Sequence, residues 1–171
     1  MTAWTFEHTP TDHPDAVALL RAYRAELISR YYRRPATEAE VDQLDAEEPD
    51  TCLAAFLVAR RDGAPVGCVG LRRLDAGLGE LTKVYLDPRA RGQGGGARLI
   101  TAIEAAAAEL GLATLRLDTR ADLVEARVLY ARQGYREIPR YNDSEYASHW
   151  FEKSLPAAVR SLSPTTPPTA S

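Results

Sequence analysis

Residues 83–96 leave this chain few ways to fold. Lys83-Val84-Tyr85-Leu86-Asp87-Pro88-Arg89-Ala90-Arg91-Gly92-Gln93-Gly94-Gly95-Gly96 starts as a strand, is stopped by a proline and opens a glycine-rich turn. An alanine-rich helix follows at once, over about 95–110, with Leu99, Ile103, Ala106 and Leu110 on one face and Gly111 as its C-cap. Glycines crowded at a helix start let backbone N–H groups approach a ligand with no Cβ in the way. The helix N-terminus adds about half a positive elementary charge, and Arg89, Arg91 and Arg98 add full ones, so the turn suits phosphate. A P-loop needs Lys-Ser or Lys-Thr after its glycines, and neither follows here. A dinucleotide fingerprint needs a third glycine where this chain has Ala97, and its strand would not have three others before it.

The 171 residues allow one domain of ordinary size, able to build a core without disulfides or metal. A net charge of -3 without a long basic run argues against nucleic-acid binding. His8, His13 and His149 are scattered, with no Cys/His spacing for zinc, so no metal is expected. No apolar run approaches the ~20 residues of a membrane span. The opening Met-Thr-Ala-Trp-Thr-Phe-Glu is neither basic nor followed by an apolar stretch, so no secretion signal is expected. Cys52 and Cys68 lie in apolar strand-like runs and are expected to be small core residues of a reduced, cytoplasmic protein.

The patterning predicts a short strand over 4–7 and then a helix from Asp12 and Pro14 to Pro35. Val17, Leu20, Tyr23, Arg24, Leu27, Ile28 and Tyr31 recur along that helix at helical spacing. Thr37-x-x-Glu40 reads as a capping box opening a second helix to about Glu47. Strands are expected over 52–59, 66–74 and 80–86, the first two joined at Asp62-Gly63-Ala64-Pro65. Beyond the glycine turn and its helix come a parallel-type strand over 114–119 and a helix capped by Asp122-x-x-Glu125 that ends at Gly134. Final strands are expected over 135–138 and 148–153, and residues 156–171 are too poor in apolar mass to fold. The order β-α-α-β-β-β-α-β-α-β-β predicts an α/β fold, a mixed sheet in one domain (1–155) with helices on both faces.

Arg91-x-x-Gly94-x-Gly96 after a strand and Pro88 resembles the acyl-CoA pyrophosphate loop of the GNAT N-acetyltransferases. Ala126-x-x-Leu129-Tyr130-x-x-x-Gly134-Tyr135 resembles a second motif of that family, in the expected order and spacing. The likeness extends over roughly residues 14–155. One departure is Leu123, where the family often carries an asparagine. The resemblance implies a GNAT-like sheet with splayed central strands. It also implies acetyl-CoA as co-substrate, held by Arg91, Gly92, Gln93, Gly94, Gly95, Gly96 and Ala97. The strand residues Val84, Tyr85 and Leu86 would lie along the pantetheine, with the backbones of Val84 and Leu86 bonding it.

By the same carry-over, Tyr130 is the expected general acid, a phenol protonated at pH 7 that can give its proton to a departing thiolate. Glu80 is the expected general base for the acceptor amine, or else a strand-end carboxylate paired with Lys83 or Arg72. The acceptor would be a small-molecule or peptide amine, walled by Arg30-Tyr31-Tyr32-Arg33-Arg34 and Tyr141-Asn142-Asp143-Ser144-Glu145-Tyr146. Aromatic walls with Asp143 and Glu145 suit a small cationic amine. The arginine pair suits a carboxylate-bearing one instead, or simply solvates a helix end. The alternatives to an N-acetyltransferase, working as monomer or homodimer, are an acetyl-CoA-binding sensor with vestigial catalytic groups, favoured by Leu123, and a module for anionic partners that does not use CoA.

Overall fold

The computed structural model describes residues 2–156, so the tail expected over 156–171 lies, but for its first residue, outside the described residues. The elements are β1 (Trp4–His8), α1 (Pro14–Tyr32), α2 (Glu38–Glu47), β2 (Ala55–Arg61), β3 (Ala64–Asp75), β4 (Leu78–Leu86), α3 (Gly95–Glu109), β5 (Thr114–Thr119), α4 (Val124–Arg132), β6 (Arg136–Ile138) and β7 (His149–Ser154). This is the predicted order, in a seven-stranded mixed sheet arranged β1-β2-β3-β4-β5-β7-β6. No helix among the described residues is long and apolar enough to cross a membrane.

Strand alternation sorts the core into two faces. Along β2, Ala55, Leu57 and Ala59 join the α3 side with Leu99, Ile100, Ile103 and Ala107. Phe56 and Val58 face the other way, onto Ala16, Leu19 and Leu20 of α1. On β4 the alternation changes phase: Leu81 packs on the α3 side but Tyr85 on the α1 side. The cause is a bulge at Lys83, which has φ 55° and an extra residue against the Cys68–Gly70 stretch of β3. Such backbone costs a non-glycine residue about 1–2 kcal/mol. The side chain of Lys83 is tied into a buried ion cluster, in which its Nζ meets Asp50 at 3.0 Å and Asp50 meets Arg24 of α1 at 2.7 Å.

The helix ends follow local chemistry. Thr37 and Glu40 form the expected capping box of α2. Gly111 and Gly134, both at positive φ, close α3 and α4 with paired reverse bonds: Leu112 N–H to Ala107 and Gly111 N–H to Ala108 in one, Tyr135 N–H to Tyr130 and Gly134 N–H to Ala131 in the other.

Four expectations need correction. Strand β2 starts at Ala55, leaving Cys52 exposed at φ 64°, because Ala54 and the residues before it belong to the loop that brings in Asp50; only Cys68 is a core cysteine. Asp122 does not cap α4, whose N-cap is Leu123, because its carboxylate is taken by Arg120 at 2.8 Å. Leu110 sits past the end of α3 and is exposed, its place on the apolar face held by Ile100 and Ala107. Val17 and Tyr31 are exposed on α1, where Ala16 and Leu19 are buried with Leu20 and Arg24.

Candidate active site

Strands β4 and β5 run parallel but pair only at Leu78–Thr114, Gly79–Leu115 and Glu80–Arg116, and then separate. From Leu81 onward one edge of β4 therefore has no neighbouring strand. The antiparallel ladder with β3 shows which groups face that gap. Asp87 N–H bonds Val66 C=O at 2.7 Å, so the N–H and C=O of Leu86 point the other way, into the split. Val84 follows the same alternation, whereas Tyr85 pairs with Cys68 and packs its ring onto α1. The Leu86 carbonyl accepts from Arg91 Nε at 2.8 Å, and Glu26 of α1 holds the same guanidinium through both oxygens at 2.8 Å. The Arg91 side chain is thus a brace across the mouth of the split.

Residues 92–97 follow. Arg91 N–H bonds back to Pro88, and the helical ladder of α3 begins with Arg98 N–H on Gly94 C=O at 3.2 Å. Among the described residues no protein acceptor takes the N–H groups between them, and Gly94 as N-cap has no side chain to do so. Gly92 and Gly94 sit at φ 77° and 80°, backbone that side chains rarely adopt. Gly95 is required for another reason: a Cβ there would be driven into the indole of Trp4. The result is a row of open amides at a helix N-terminus, beside the gap. Of the other loop arginines, Arg89 pairs with Asp87 at 3.1 Å.

The split opens into a cavity of about 1410 Å³. Its walls include Val84, Tyr85, Leu86, Arg91, Gly92, Gly94, Gly96 and Ala97, together with Glu80 and Tyr130, while Gln93 and Gly95 are not among them. Tyr130 is 5% exposed and wedged against Tyr135 and Phe151 in the α3-side core. Its hydroxyl bonds no protein group among the described residues. Burial, and then the charge of Asp118, push its acidity well below that of an ordinary phenol, so it stays protonated throughout the physiological range. Glu80 occupies the last paired rung before the strands part and is 7% exposed. Tyr141 donates to its Oε2 at 2.7 Å and Arg72 reaches Oε1 at 3.3 Å. Of the two cations named as possible partners it therefore takes Arg72; Lys83 is committed to Asp50.

The sequence reading missed Asp118, Tyr23 and the anchoring of the β6–β7 loop. Asp118 lies on β5 two residues beyond the last rung and borders the same cavity. Asn142 donates to it at 2.6 Å and in turn accepts from Trp150 Nε1 at 2.8 Å, so this loop is tied over the cavity at both Asp118 and Glu80. The phenol of Tyr141 is made less acidic by burial and by its bond to Glu80. Tyr23 of α1 faces the cavity and is shifted likewise by burial, with Tyr130 a contributing neighbour. An aspartate in a strand of alternating charge carries no local signal, and only the divergence of β4 from β5 exposes this one to the cavity. Arg33 and Arg34 are not cavity residues: Arg33 is the left-handed C-cap of α1, and Arg34 pairs with Glu40 at 2.5 Å.

The sequence profile of the Acetyltransferase (GNAT) family matches residues 18–135. An IAA acetyltransferase of Azospirillum brasilense is 39% identical over 83 residues, 48% of this chain and 54% of that protein, so the chain spans about half the length of this curated relative. A Klebsiella pneumoniae protein named as an acyl-CoA N-acyltransferase superposes with a TM-score of 0.69 at 28% identity, covering 89% of this chain and 97% of its own. A GNAT acetyltransferase from Elizabethkingia anophelis with acetyl-CoA bound superposes with a TM-score of 0.64, covering 89% of this chain and 98% of its own; at 16% identity that likeness concerns the fold alone. With the family profile spanning well over half of its length, and a split sheet beside a glycine-capped helix, the chain belongs to the GNAT acetyltransferase family.

Proposed function

We propose that the protein moves an acetyl group from acetyl-CoA to a primary amine of a small molecule or peptide, by direct attack with both substrates bound. The observation that carries this reading is the unpaired edge of β4 opening between six amides without a protein acceptor among the described residues and two buried polar side chains, Tyr130 and Glu80. A diphosphate fits the amide row of residues 92–97, where partial positive charge and absent side chains coincide. The pantetheine fits the free edge as an added strand, using Leu86 N–H and the Val84 backbone; the Leu86 carbonyl is already held by Arg91.

The acceptor arrives as an ammonium and must lose a proton before it can attack. Glu80 is the proposed acceptor of that proton, directly or through water, with Tyr141 and Arg72 fixing its carboxylate in place. Attack on the thioester carbonyl forms the new C–N bond, and collapse of the tetrahedral intermediate breaks the C–S bond. Tyr130 is proposed to supply the proton to sulfur. Burial makes this phenol a weaker acid than an ordinary one, which favours proton transfer in step with C–S cleavage over transfer to a free thiolate.

Free-thiol release from acetyl-CoA against an amine panel tests the reading. Turnover is expected, with Tyr130→Phe lowering kcat about 100-fold and leaving the KM for acetyl-CoA nearly unchanged. A Phe variant with full turnover and an unaltered pH profile removes Tyr130 from the acid role. Acetyl-CoA binding without turnover on any amine points instead to the sensor reading, which Leu123 favours at the cavity wall.

A further inference from the structure

The charges lining the cavity sort by partner. Its cationic side chains are Arg30, Arg72, Lys83, Arg91, Arg120 and Arg132. Arg30 is held by Glu125, Arg72 by Glu80, Lys83 by Asp50, Arg91 by Glu26 and Arg120 by Asp122. The remaining one, Arg132, ends α4, the helix whose Leu129 packs on Gly96, and so belongs to the glycine-loop end. No cation at the acceptor end is left over for a substrate carboxylate among the described residues.

The anionic side is the reverse. Glu47 and Glu48 at the end of α2, with Asp143 and Glu145 in the β6–β7 loop, line the cavity with no cationic partner among the described residues. Glu47 accepts only from the amide of Gln43, at 2.8 Å. Tyr146, in the same loop as Glu145 and exposed, also lines the cavity and stands edge-on to Tyr31 at 5.3 Å. Glu145 first, then desolvation and lesser neighbours that include Glu47, make its phenol less acidic, and Glu47, Glu145 and Tyr146 all line the same cavity. Arg120 covers Tyr31 and Arg34 covers Tyr32, whereas no protein cation lies over Tyr146 among the described residues. Exposed carboxylates alone would be a solvated rim. Here they ring a cavity into which Tyr130 points a hydroxyl without a protein partner from a side chain 5% exposed.

We propose that the acceptor is an amine carrying a second positive charge remote from the reacting nitrogen and no carboxylate, its distal cation seated at the stretch of cavity wall that carries Tyr146, Glu47 and Glu145. This rests on the acetyltransferase reading above and narrows it to one substrate class. A cation gains there from the face of an exposed tyrosine and from carboxylates along the same wall, and a substrate carboxylate meets only like charge.

Three acceptors of one length test it: 1,4-diaminobutane, butylamine and 4-aminobutanoate, which differ only in a distal charge of one sign, none or the other. The expected kcat/KM falls in that order, by about tenfold per step, and the first step shrinks with added salt. In Glu47→Gln/Glu145→Gln the diamine loses about tenfold in KM, while butylamine and acetyl-CoA keep theirs. Turnover of 4-aminobutanoate equal to or above that of the diamine overturns the proposed class and leaves the transferase reading standing. If no acceptor releases thiol, calorimetric titration with 1,4-diaminobutane decides: saturable binding lost in the double variant upholds the class while the transferase reading falls, and absence of binding overturns the class.

Discussion

Two of the helices that border the cavity, α2 and α3, begin in opposite ways. At α2, Thr37 Oγ1 accepts from Glu40 N–H at 3.2 Å and Glu40 Oε2 accepts from Thr37 N–H at 3.0 Å, so the helix closes its own N-terminus. At α3 the N-cap is a glycine in left-handed backbone, no side chain caps it, and among the described residues no protein acceptor takes the first amides beside the split. Helix N-termini ordinarily satisfy such donors locally, at a gain of about 1 kcal/mol per cap. A chain that writes a capping box at one helix and four glycines at another is using the second for something other than stability.

Closing α3 as α2 is closed gives the largest expected effect. Gly94→Asp puts a carboxylate where a phosphate is proposed to sit, and asparagine and aspartate are among the side chains that tolerate left-handed backbone. The KM for acetyl-CoA should rise about 100-fold, roughly 2.7 kcal/mol, while thermal stability is kept. An unchanged KM would remove the amide row from the binding site.

A smaller effect is expected at Gly95, where the demand is packing. Gly95→Ala drives a methyl into Trp4 and should cost about 2 kcal/mol of stability in urea unfolding, largely relieved by adding Trp4→Leu. Failure of that rescue would mean that the glycine answers to something other than the indole.

Smaller again, Thr37→Ala should cost about 1 kcal/mol of stability with both KM values unaltered, since α2's cap serves only the helix. A shifted acceptor KM would show that the capping box also positions the acceptor wall.

The least effect is one of pH. Arg34 first, and then the Thr37 backbone, hold the Glu40 carboxyl down at about 2 from its ordinary 4.5. A depressed folded value contributes stability that is complete above the unfolded value and lost as pH falls through the folded one. The stability difference between the protein and Glu40→Gln should therefore be constant above pH 4.5 and vanish toward pH 2, followed as urea midpoints. A difference that survives at the acid end would assign it to packing.

What was legible in the sequence is what local chemistry determines. The order of elements, the capping box, the Schellman glycines and the glycine turn all follow from residues a few positions apart. Cys52 was misplaced because Cys52-Leu53-Ala54 continues an apolar run into β2, and nothing local shows that the chain there turns at positive φ toward Asp50. Asp122 reads as a cap until Arg120 claims it. Asp118, the Tyr141–Glu80 bond and the pairing of Lys83 with Asp50 join residues 24, 61 and 33 positions apart, the first two set by where β4 and β5 diverge and the third by the bulge against β3. The phase change at Lys83 is also invisible locally, since lysine is not a residue that advertises a left-handed bulge.

The most direct measurement is residue-resolved amide hydrogen exchange with and without CoA. Exchange at residues 92–97 and at Leu86 should slow several-fold on addition of CoA, as open donors become bonded, while Glu40 and Thr37, already capped, keep their rates. Unchanged exchange across the glycine turn at saturating CoA, or protection confined to α2, would contradict the proposal that these amides hold the diphosphate.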